Sequence, residues 1–232
     1  MSASTVNQDV PGSLPGQADL GGLRRMTGLA GLATLLLVFI PGIAGSAQEP
    51  GFTGTSEQIG AFFGSIDTTM GSIGSFASTL GVIAFLWFAL GLSTLLRAAE
   101  SQPPWRSNLA AGSAAVFVAV ALGGSWTAAT LRAASLDPDV GRFAFDLGNA
   151  SFANGWVALG SFAICAGAAI ISTGVMPRWL GWWAAIAGVG LALSRAVWTS
   201  EIWLLPYAVF WLWVIVVSVT LLRPTNAPEP HS

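Results

Sequence analysis

Residues 176–188 read MPRWLGWWAAIAG and join two long apolar segments. They contain one arginine, Arg178, which is followed within five residues by Trp179, Trp182 and Trp183. Arginine is favoured in cytoplasmic loops and tryptophan at the headgroup level of a membrane. The stretch therefore predicts a tight cytoplasmic turn between two membrane helices, anchored by this arginine and these three indoles. A lipid headgroup-binding site is the alternative interpretation of the same residues.

The composition also indicates a membrane protein. Of the 232 residues, 53% are hydrophobic and only 9% are charged. The mean hydropathy is +0.68. A soluble domain carries about 25% charged residues, so much of this surface must face lipid or other protein. The net charge of −2 is too small to predict a nucleic-acid partner.

Six apolar windows are long enough to cross the roughly 30 Å hydrocarbon core of a membrane. They cover residues 26–44, 76–96, 109–131, 151–175, 179–198 and 202–222. Backbone groups in lipid must hydrogen-bond internally, and the runs are continuous rather than alternating, so they predict helices. We expect an all-α bundle of six transmembrane helices over residues 24–223. Disordered cytoplasmic tails are expected at residues 1–23 and 224–232.

The distribution of arginine predicts the orientation, because cytoplasmic loops hold the excess of positive charge. If the spans alternate, six arginines fall on one side: Arg24, Arg25, Arg97, Arg106, Arg178 and Arg223. The other side receives Arg132, Arg142 and Arg195, with the acids Glu49, Glu57, Asp67, Asp137, Asp139, Asp146 and Glu201. Both termini are therefore expected in the cytoplasm. Arginine without lysine, in a chain rich in alanine and glycine, indicates a bacterium and hence its plasma (inner) membrane.

The first span has a second interpretation. Arg24 and Arg25, the apolar run and the small residues at 44–47 resemble a secretory signal peptide with its cleavage site. Cleavage there would leave five spans with the same orientation.

The Pro-Arg-Trp-Leu-Gly-Trp stretch at residues 177–182 carries a resemblance to a family. It resembles the start of the fifth span in a group of uncharacterised bacterial six-span integral membrane proteins, which share a long outer loop between the first two helices. The resemblance covers most of residues 22–223. It implies the architecture alone, since that family has no established activity.

Two short helices are expected in the outer loops. Thr55 and Gln58 have the spacing of a capping box, and apolar residues follow at helical spacing: Ile59, Phe62, Phe63 and Ile66. This predicts an amphipathic helix that lies on the outer surface or covers the mouth of the bundle. Asp137 and Pro138 predict a second helix start, running into the fourth span. Arg142 and Asp146 lie four apart on it and can pair.

The sequence lacks the residue types that most membrane enzymes need for catalysis. The only histidine is His231 and the only cysteine is Cys165, so haem ligation, histidine-dependent protease chemistry and multi-cysteine metal sites are excluded. No predicted span interior holds a carboxylate for a proton relay. The sequence therefore predicts no catalytic residue, no metal site and no cofactor.

Small residues predict which helices pack closely, because backbone approach drives helix association in lipid. The fourth span carries Ser161, Cys165, Ala168, Ala169 and Ser172, and the fifth carries Gly181, Ala184, Gly188 and Ala192. With only a tight turn between them, these two spans are expected to form an antiparallel pair.

Arg195 is the candidate functional residue, because its helical phase places it on the same face as Gly188 near the outer end of the fifth span. Its expected partner is an outer acid, Asp146 or Glu201, or a bound anion. The remaining members of this candidate polar site are Trp126, Thr130 and Asn154. The alternative is an arginine that extends to the outer headgroups beside Trp198.

Three functions remain open from the sequence. The first is a non-enzymatic membrane protein that binds a lipid or small amphiphile in an outward-facing pocket near Arg195, with a transporter as its stronger form. The second is a scaffold or regulatory subunit whose small-residue faces contact helices of a partner protein. The third is an intramembrane enzyme, which is disfavoured because the sequence contains no recognisable group of catalytic residues.

Overall fold

The computed structural model describes residues 15–44, 49–123, 125–132 and 135–223, with side chains at 20–39, 49–123, 127–132 and 135–223. This part of the chain is all helical and contains no strand. Its α-helices are α1 (Pro15–Ala44), α2 (Ser56–Ser65), α3 (Thr68–Ala99), α4 (Trp105–Ala121), α5 (Ser125–Leu131), α6 (Pro138–Thr173), α7 (Arg178–Ser194) and α8 (Leu204–Leu222). Two short 3-10 helices, Arg195–Val197 and Glu201–Trp203, lie between α7 and α8.

Five helical segments are long and apolar enough to cross a membrane, as expected of a membrane protein. They are Leu20–Phe39, Thr68–Ala99, Pro138–Thr173, Arg178–Val197 and Glu201–Leu222. The predicted span at 109–131 is not among them, because its helix is interrupted. α4 ends at Ala121 after 17 residues, about 25 Å at 1.5 Å per residue, and α5 is a separate helix of 7 residues.

The interrupted helix still runs from one end of the bundle to the other. At its start, Ser107 hydrogen-bonds to Glu100, the residue that ends α3. Beyond its end, Thr127 of α5 contacts the hydroxyl of Ser75 near the start of α3 at 3.0 Å. α4 therefore lies antiparallel to α3, and it packs through a buried face composed of Ala110, Ala114, Phe117 and Val118.

The N-terminal boundary of the bundle differs from the expectation. Residues 1–23 are predicted as a disordered tail, yet α1 already begins at Pro15. Residues 1–14 and 224–232, which are also predicted as tails, lie outside the described residues.

Two glycine contacts hold α6 and α7 together. A Cβ atom built on Gly160 would lie 2.5 Å from the carbonyl oxygen of Gly188. A Cβ atom on Gly167 would lie 2.5 Å from the carbonyl oxygen of Gly181. Only glycine allows backbones to approach this closely in a membrane bundle. The expected antiparallel pair is therefore present, with the predicted glycines of the fifth span at the contact.

The α6 side of this contact differs from the prediction. The surface that meets α7 is formed by Gly160 and Gly167, while the predicted set was Ser161, Cys165, Ala168, Ala169 and Ser172. One residue corresponds to about 100° around a helix, so Ser161 faces another neighbour. Its hydroxyl contacts that of Ser113 on α4 at 2.8 Å. α6 thus uses one face for α7 and another for α4.

The turn between α6 and α7 has its own stop and start signals. Gly174 ends α6 in the left-handed conformation, with φ of +67°, which residues with a side chain rarely adopt. Pro177 then precedes the first residue of α7, Arg178, which is exposed. The backbone supplies the reversal, and the arginine stays free to face solvent or headgroups.

The three tryptophans predicted as interface anchors differ in their surroundings. Trp179 and Trp182 are 54% and 60% exposed, as expected of residues that face headgroups. Trp183 is partly buried, and its indole N–H donates a 3.0 Å hydrogen bond to the carbonyl oxygen of Val209 on α8. Trp183 therefore joins two helices rather than serving only as an anchor.

Helices α3 and α6 are longer than a membrane requires. α6 has 36 residues and α3 has 32, about 54 Å and 48 Å at 1.5 Å per residue, against roughly 30 Å of hydrocarbon. Both begin at the same end of the bundle, since the start of each contacts the region of α5. We call this the capped end.

A small layer of helices, the cap, covers that end. It consists of α2, α5 and residues 138–147 of α6, and it has its own hydrophobic cluster of Ile59, Phe63, Ala129 and Phe145. The capping box predicted at Thr55 and Gln58 is present, and Asp137 caps α6 as predicted. Because Ile59 and Phe63 are fully buried, α2 covers the helices beneath it instead of lying apart from them.

Polar contacts fasten the cap. Arg142 pairs with Asp146 at 3.1 Å, the predicted i,i+4 pair. The same guanidinium donates a 2.7 Å hydrogen bond to the carbonyl oxygen of Gly54, just before α2. Ser56 donates to the carboxylate of Asp139 at 3.3 Å. These contacts fix α2 against the first turns of α6.

At the opposite end, one buried carboxylate organises the α3–α4 turn. Glu100 accepts hydrogen bonds from the Ser107 hydroxyl at 2.6 Å and from the Ser107 and Arg106 backbone amides at 3.1 and 3.2 Å. It also pairs with the Arg106 side chain at 3.2 Å. Pro104, at the N-cap of α4, has no side chain to cap the helix. Glu100 therefore satisfies the free amides of α4 from outside it.

Candidate functional site

A cavity of about 360 Å³ near the capped end could hold a ligand. Five helices form it, namely α1, α3, α4, α6 and α8. Among the described residues its lining consists of Thr34, Val38, Val82, Phe85, Phe117, Val120, Ala121, Gly123, Leu147, Gly148, Ser151, Phe152, Gly155, Tyr207 and Trp211. Ligand pockets in proteins measure about 300–1,000 Å³, so the volume is sufficient for a small lipid or part of a larger one.

The cavity has an apolar floor and a more polar rim. Phe85 is fully buried and packs edge-on against Phe117 and Trp211, with ring centres 5.2 and 5.8 Å away. Tyr207 lies in the first turn of α8 and Gly123 just beyond the end of α4, so both are close to the capped end. An elongated apolar molecule would place its tail against the aromatic floor and its other end near Tyr207.

No described lining residue carries a charge. The polar groups of the wall are the hydroxyls of Thr34, Ser151 and Tyr207 and the indole N–H of Trp211. The Thr34 hydroxyl is already used, since it donates a 2.9 Å hydrogen bond to the Ala30 carbonyl oxygen. An ion placed here would lose its hydration without gaining an opposite charge, which is strongly unfavourable.

Aromatic rings continue from the cavity wall towards the 3-10 helices. Phe152 lies edge-on to Tyr207 and to Trp203, with ring centres 5.6 Å apart in both pairs. Trp203 in turn stacks on Trp156 at 5.0 Å and 24°. Edge-on and offset aromatic pairs add about 0.5–1.5 kcal/mol each beyond their buried area. These ring contacts hold the side chains of this wall against one another.

Arg195 lies outside the cavity lining. It begins the 3-10 helix after α7, and its Nε–H donates a 2.8 Å hydrogen bond to the side-chain oxygen of Asn154 on α6. Its guanidinium carbon is 5.5 Å from the ring centre of Trp198. The structure thus brings together two members of the predicted polar site, Arg195 and Asn154. The partner of the arginine is an amide, where the sequence predicted an acid.

The other predicted members lie apart from Arg195. Asp146 pairs with Arg142 in the cap. Glu201 is exposed at the start of the second 3-10 helix and forms no ion pair within the described part of the chain. Thr130 is buried in α5, with its methyl group next to the backbone of Gly71. The side chain of Trp126 lies outside the described residues.

Sequence reasoning did not identify the cavity residues, because each is an ordinary apolar residue of a membrane helix. Tyr207 is the exception that could have been noticed. It is the only tyrosine of the chain, and it stands at the start of the most apolar span. A hydroxyl at that position must find a partner or face a cavity.

Glu100 is a second residue that sequence reasoning missed. Burial raises the pKa of its carboxyl, but hydrogen bonds from Ser107 and Arg106 outweigh this and hold the pKa below its ordinary value. Its role is structural, since all its described contacts go to the start of α4. An acid shortly before a helix whose N-cap is proline is the signal that could have revealed it.

Groups of three or more histidine, cysteine, aspartate or glutamate side chains that could hold a metal ion do not occur among the described residues. Comparisons with known proteins find no matching family model, no similar curated protein and no similar solved structure. The resemblance at residues 177–182 therefore stays a prediction.

Proposed function

We propose that this protein is an integral membrane protein that binds a lipid or small amphiphile in the cavity near its capped end. The observation that carries the proposal is the cavity itself, which has a volume of about 360 Å³ and a mostly apolar lining. Protein interiors contain few voids larger than a water molecule. This partly open cavity with an aromatic floor has room for an apolar chain from the membrane.

The lining also favours binding over catalysis. Its polar groups are hydroxyls and an indole N–H, and no acid, base or cysteine stands beside them in the described wall. General acid–base chemistry needs a titratable group within hydrogen-bond reach of the reacting atom. The proposal therefore assigns no reaction to the cavity, and membrane lipids are its partners.

The binding site that we propose is the cavity, whereas the sequence predicted a pocket near Arg195. Asn154, the partner of Arg195, directly precedes Gly155, whose backbone lines the cavity. Arg195 and Asn154 themselves are not part of the lining. The arginine is better suited to an outer position beside Trp198, where lipid headgroups would meet it.

The proposal includes six membrane crossings, with α4 as the sixth, and both termini in the cytoplasm of a bacterium. α4 supports this because 17 residues reach the lower limit of a spanning helix, and it lies antiparallel to its neighbour α3. The excess of arginine on one side supports the orientation. The capped end then faces outward.

Cysteine labelling tests this topology. Ser101 and Ser135 are both exposed and lie at opposite ends of α4. In a chain with Cys165→Ala, an impermeant thiol reagent on intact cells should label Ser135→Cys and leave Ser101→Cys unlabelled. Labelling of Ser101→Cys alone would reverse the orientation, and labelling of both from outside would remove α4 as a crossing.

Lipid retention tests the binding site. A Cβ atom on Gly155 would sit 3.4 Å from the Phe117 ring, an ordinary contact. The further carbons of Gly155→Leu would occupy the cavity, and the thermal unfolding temperature of this variant checks that it is folded. Native mass spectrometry of the full-length wild type, purified in mild detergent, should show a bound lipid that Gly155→Leu lacks. The matched control is Ala119→Leu, on the exposed face of α4, which should retain it. Equal retention by all three proteins would place the lipid elsewhere.

A further inference from the structure

Two hydroxyl groups of the cavity wall donate no hydrogen bond within the part of the chain that the structure describes. Within the described chain, neither the Tyr207 hydroxyl nor the Ser151 hydroxyl donates a hydrogen bond to another residue. The indole N–H of Trp211 is buried and makes no hydrogen bond of regular geometry, and the Tyr207 hydroxyl is the polar group that it approaches. Because an indole N–H only donates, Trp211 cannot accept the tyrosine proton.

Tyr207 and Ser151 are half-buried, and a hydroxyl that faces an apolar environment gains free energy when it finds a hydrogen-bond partner. The wall offers donors on facing helices, Ser151 on α6 and Tyr207 on α8, with Phe152 packed edge-on to Tyr207. The missing component is an acceptor. A ligand with a carbonyl oxygen next to these two hydroxyls would accept the hydrogen bonds that they do not donate within the protein.

The depth of these donors fits the junction between the head and the tail of a lipid. Tyr207 lies in the first turn of α8, and Trp211 lies four residues deeper, about 6 Å at 1.5 Å per residue. Phe85 is fully buried and contacts Trp211 on the floor of the cavity. A tail placed against Phe85 would therefore put the first polar group of the lipid beside the hydroxyls.

From these observations we infer that the cavity selects a neutral lipid with a carbonyl group between head and tail, which accepts hydrogen bonds from Tyr207 and Ser151. This inference rests on the proposed lipid-binding function. The absence of charge from the described lining favours an uncharged ligand. Two kinds of membrane lipid share this chemistry, the glyceride esters and the isoprenoid quinones.

The test compares two probes that differ at one group. Monopalmitoylglycerol has an ester carbonyl, and 1-O-hexadecylglycerol is its ether counterpart without one. Titrations of the delipidated full-length protein, followed by native mass spectrometry, should show the ester binding about 3- to 10-fold more tightly, the range for one or two neutral hydrogen bonds. Palmitate at pH 8 should bind more weakly than the ester because its head is charged.

Variants assign the preference to the hydroxyls. Tyr207→Phe and Ser151→Ala should each reduce the ester-to-ether ratio, and the double variant should bring it near one while the ether still binds. Thr94→Val is the control, since the Thr94 hydroxyl is exposed and bonds within its own helix. It should leave the ratio unchanged. The thermal unfolding temperature of each variant checks that it is folded.

The outcomes separate this inference from the proposed function. Equal binding of ester and ether by the wild type would overturn the inference, while the cavity would remain a lipid site. Palmitate binding as tightly as the ester would overturn the preference for a neutral head. Binding of none of the probes would remove the lipid-binding function itself. Decylubiquinone, included as a third carbonyl probe, distinguishes the source: tighter binding than the glyceride identifies a quinone, and weaker binding identifies a glyceride.

Discussion

Trp183 and Trp213 bridge α7 and α8 with reciprocal hydrogen bonds. The indole N–H of Trp183 donates to the Val209 carbonyl oxygen at 3.0 Å, and that of Trp213 donates to the Leu180 carbonyl oxygen at 2.9 Å. Each indole thus bonds to a backbone oxygen of the opposite helix. Trp213 is fully buried, so its N–H has no access to water. The two bonds fix the register of these helices as well as their distance.

Phenylalanine at these positions would keep most of the ring and remove the donor. We expect Trp183→Phe and Trp213→Phe each to lower the free energy of unfolding by about 0.5–1.5 kcal/mol, the net contribution of one hydrogen bond. Trp182→Phe is the matched control, because Trp182 is 60% exposed. Thermal unfolding in detergent provides the measurement. A Trp182 variant as unstable as the Trp183 variant would contradict the bridging role.

The glycine contact between α6 and α7 predicts a position that tolerates no side chain. In Gly188→Ala the new Cβ atom would lie 2.6 Å from the Gly160 carbonyl oxygen, so the helices must separate, at about 1–3 kcal/mol. The control is Gly112→Ala, where no atom lies within 4 Å. That change should be neutral or stabilising by about 0.5–1 kcal/mol, because alanine favours helix. Chemical unfolding followed by far-UV circular dichroism compares them. Equal effects of the two changes would argue against the close contact.

Glu100 predicts a pH dependence with a definite sign. Its pKa is lowered in the folded protein, so its contribution to stability is complete above pH 4.5 and is lost as the pH falls through the lowered folded pKa. Glu100→Gln should destabilise by about 1–2 kcal/mol at neutral pH and should lose less stability on acidification. Unfolding temperatures measured from pH 7 to pH 3 test this. The control is Glu201→Gln, at an exposed site without an ion pair among the described residues. The same acid profile in the wild type and in Glu100→Gln would exclude the role.

Arg195 is expected to couple to an amide and not to an acid. Its described contacts are the hydrogen bond to Asn154 and the ring of Trp198, so Arg195→Leu should cost about 0.5–1.5 kcal/mol. A double-mutant cycle of Arg195→Leu with Asn154→Ala should show coupling. The cycle with Glu201→Gln should be additive within about 0.5 kcal/mol. Coupling to Glu201 and none to Asn154 would support the partner predicted from the sequence.

Long apolar runs made five of the spans predictable, because the thickness of the hydrocarbon core sets their length. The window at 109–131 differs from the helix at its end, because hydropathy averages over Gly123, where the helix of α4 has already ended. The face of a helix that meets its neighbour was harder to predict than the position of the helix in the sequence. α6 carries small residues on several faces, so the ridge of Gly160 and Gly167 could not be distinguished from the one through Ser161 and Cys165 by spacing alone.

The candidate site was less predictable than the fold. Arg195 attracted attention because a charge in an apolar segment is conspicuous. The sequence places it near the end of the fifth span but does not identify its amide partner. The cavity depends on space left between five helices, and no single residue signals that space. Tyr207 and Ser151 can be recognised as possible ligand contacts only from the structure, in which α8 and α6 line the same cavity.

One uninterrupted helix carries both Phe145 of the cap and Phe152 of the cavity wall. The two residues are seven positions apart, about 10 Å along α6, and an α-helix hardly bends over two turns without a proline or an inserted group. The two rings must therefore move as parts of one rod. If the cavity holds a lipid, as proposed above, a tilt of α6 at the cap would also displace Phe152 in the cavity wall. The length of α6 thus makes the cap and the cavity wall parts of one structural element.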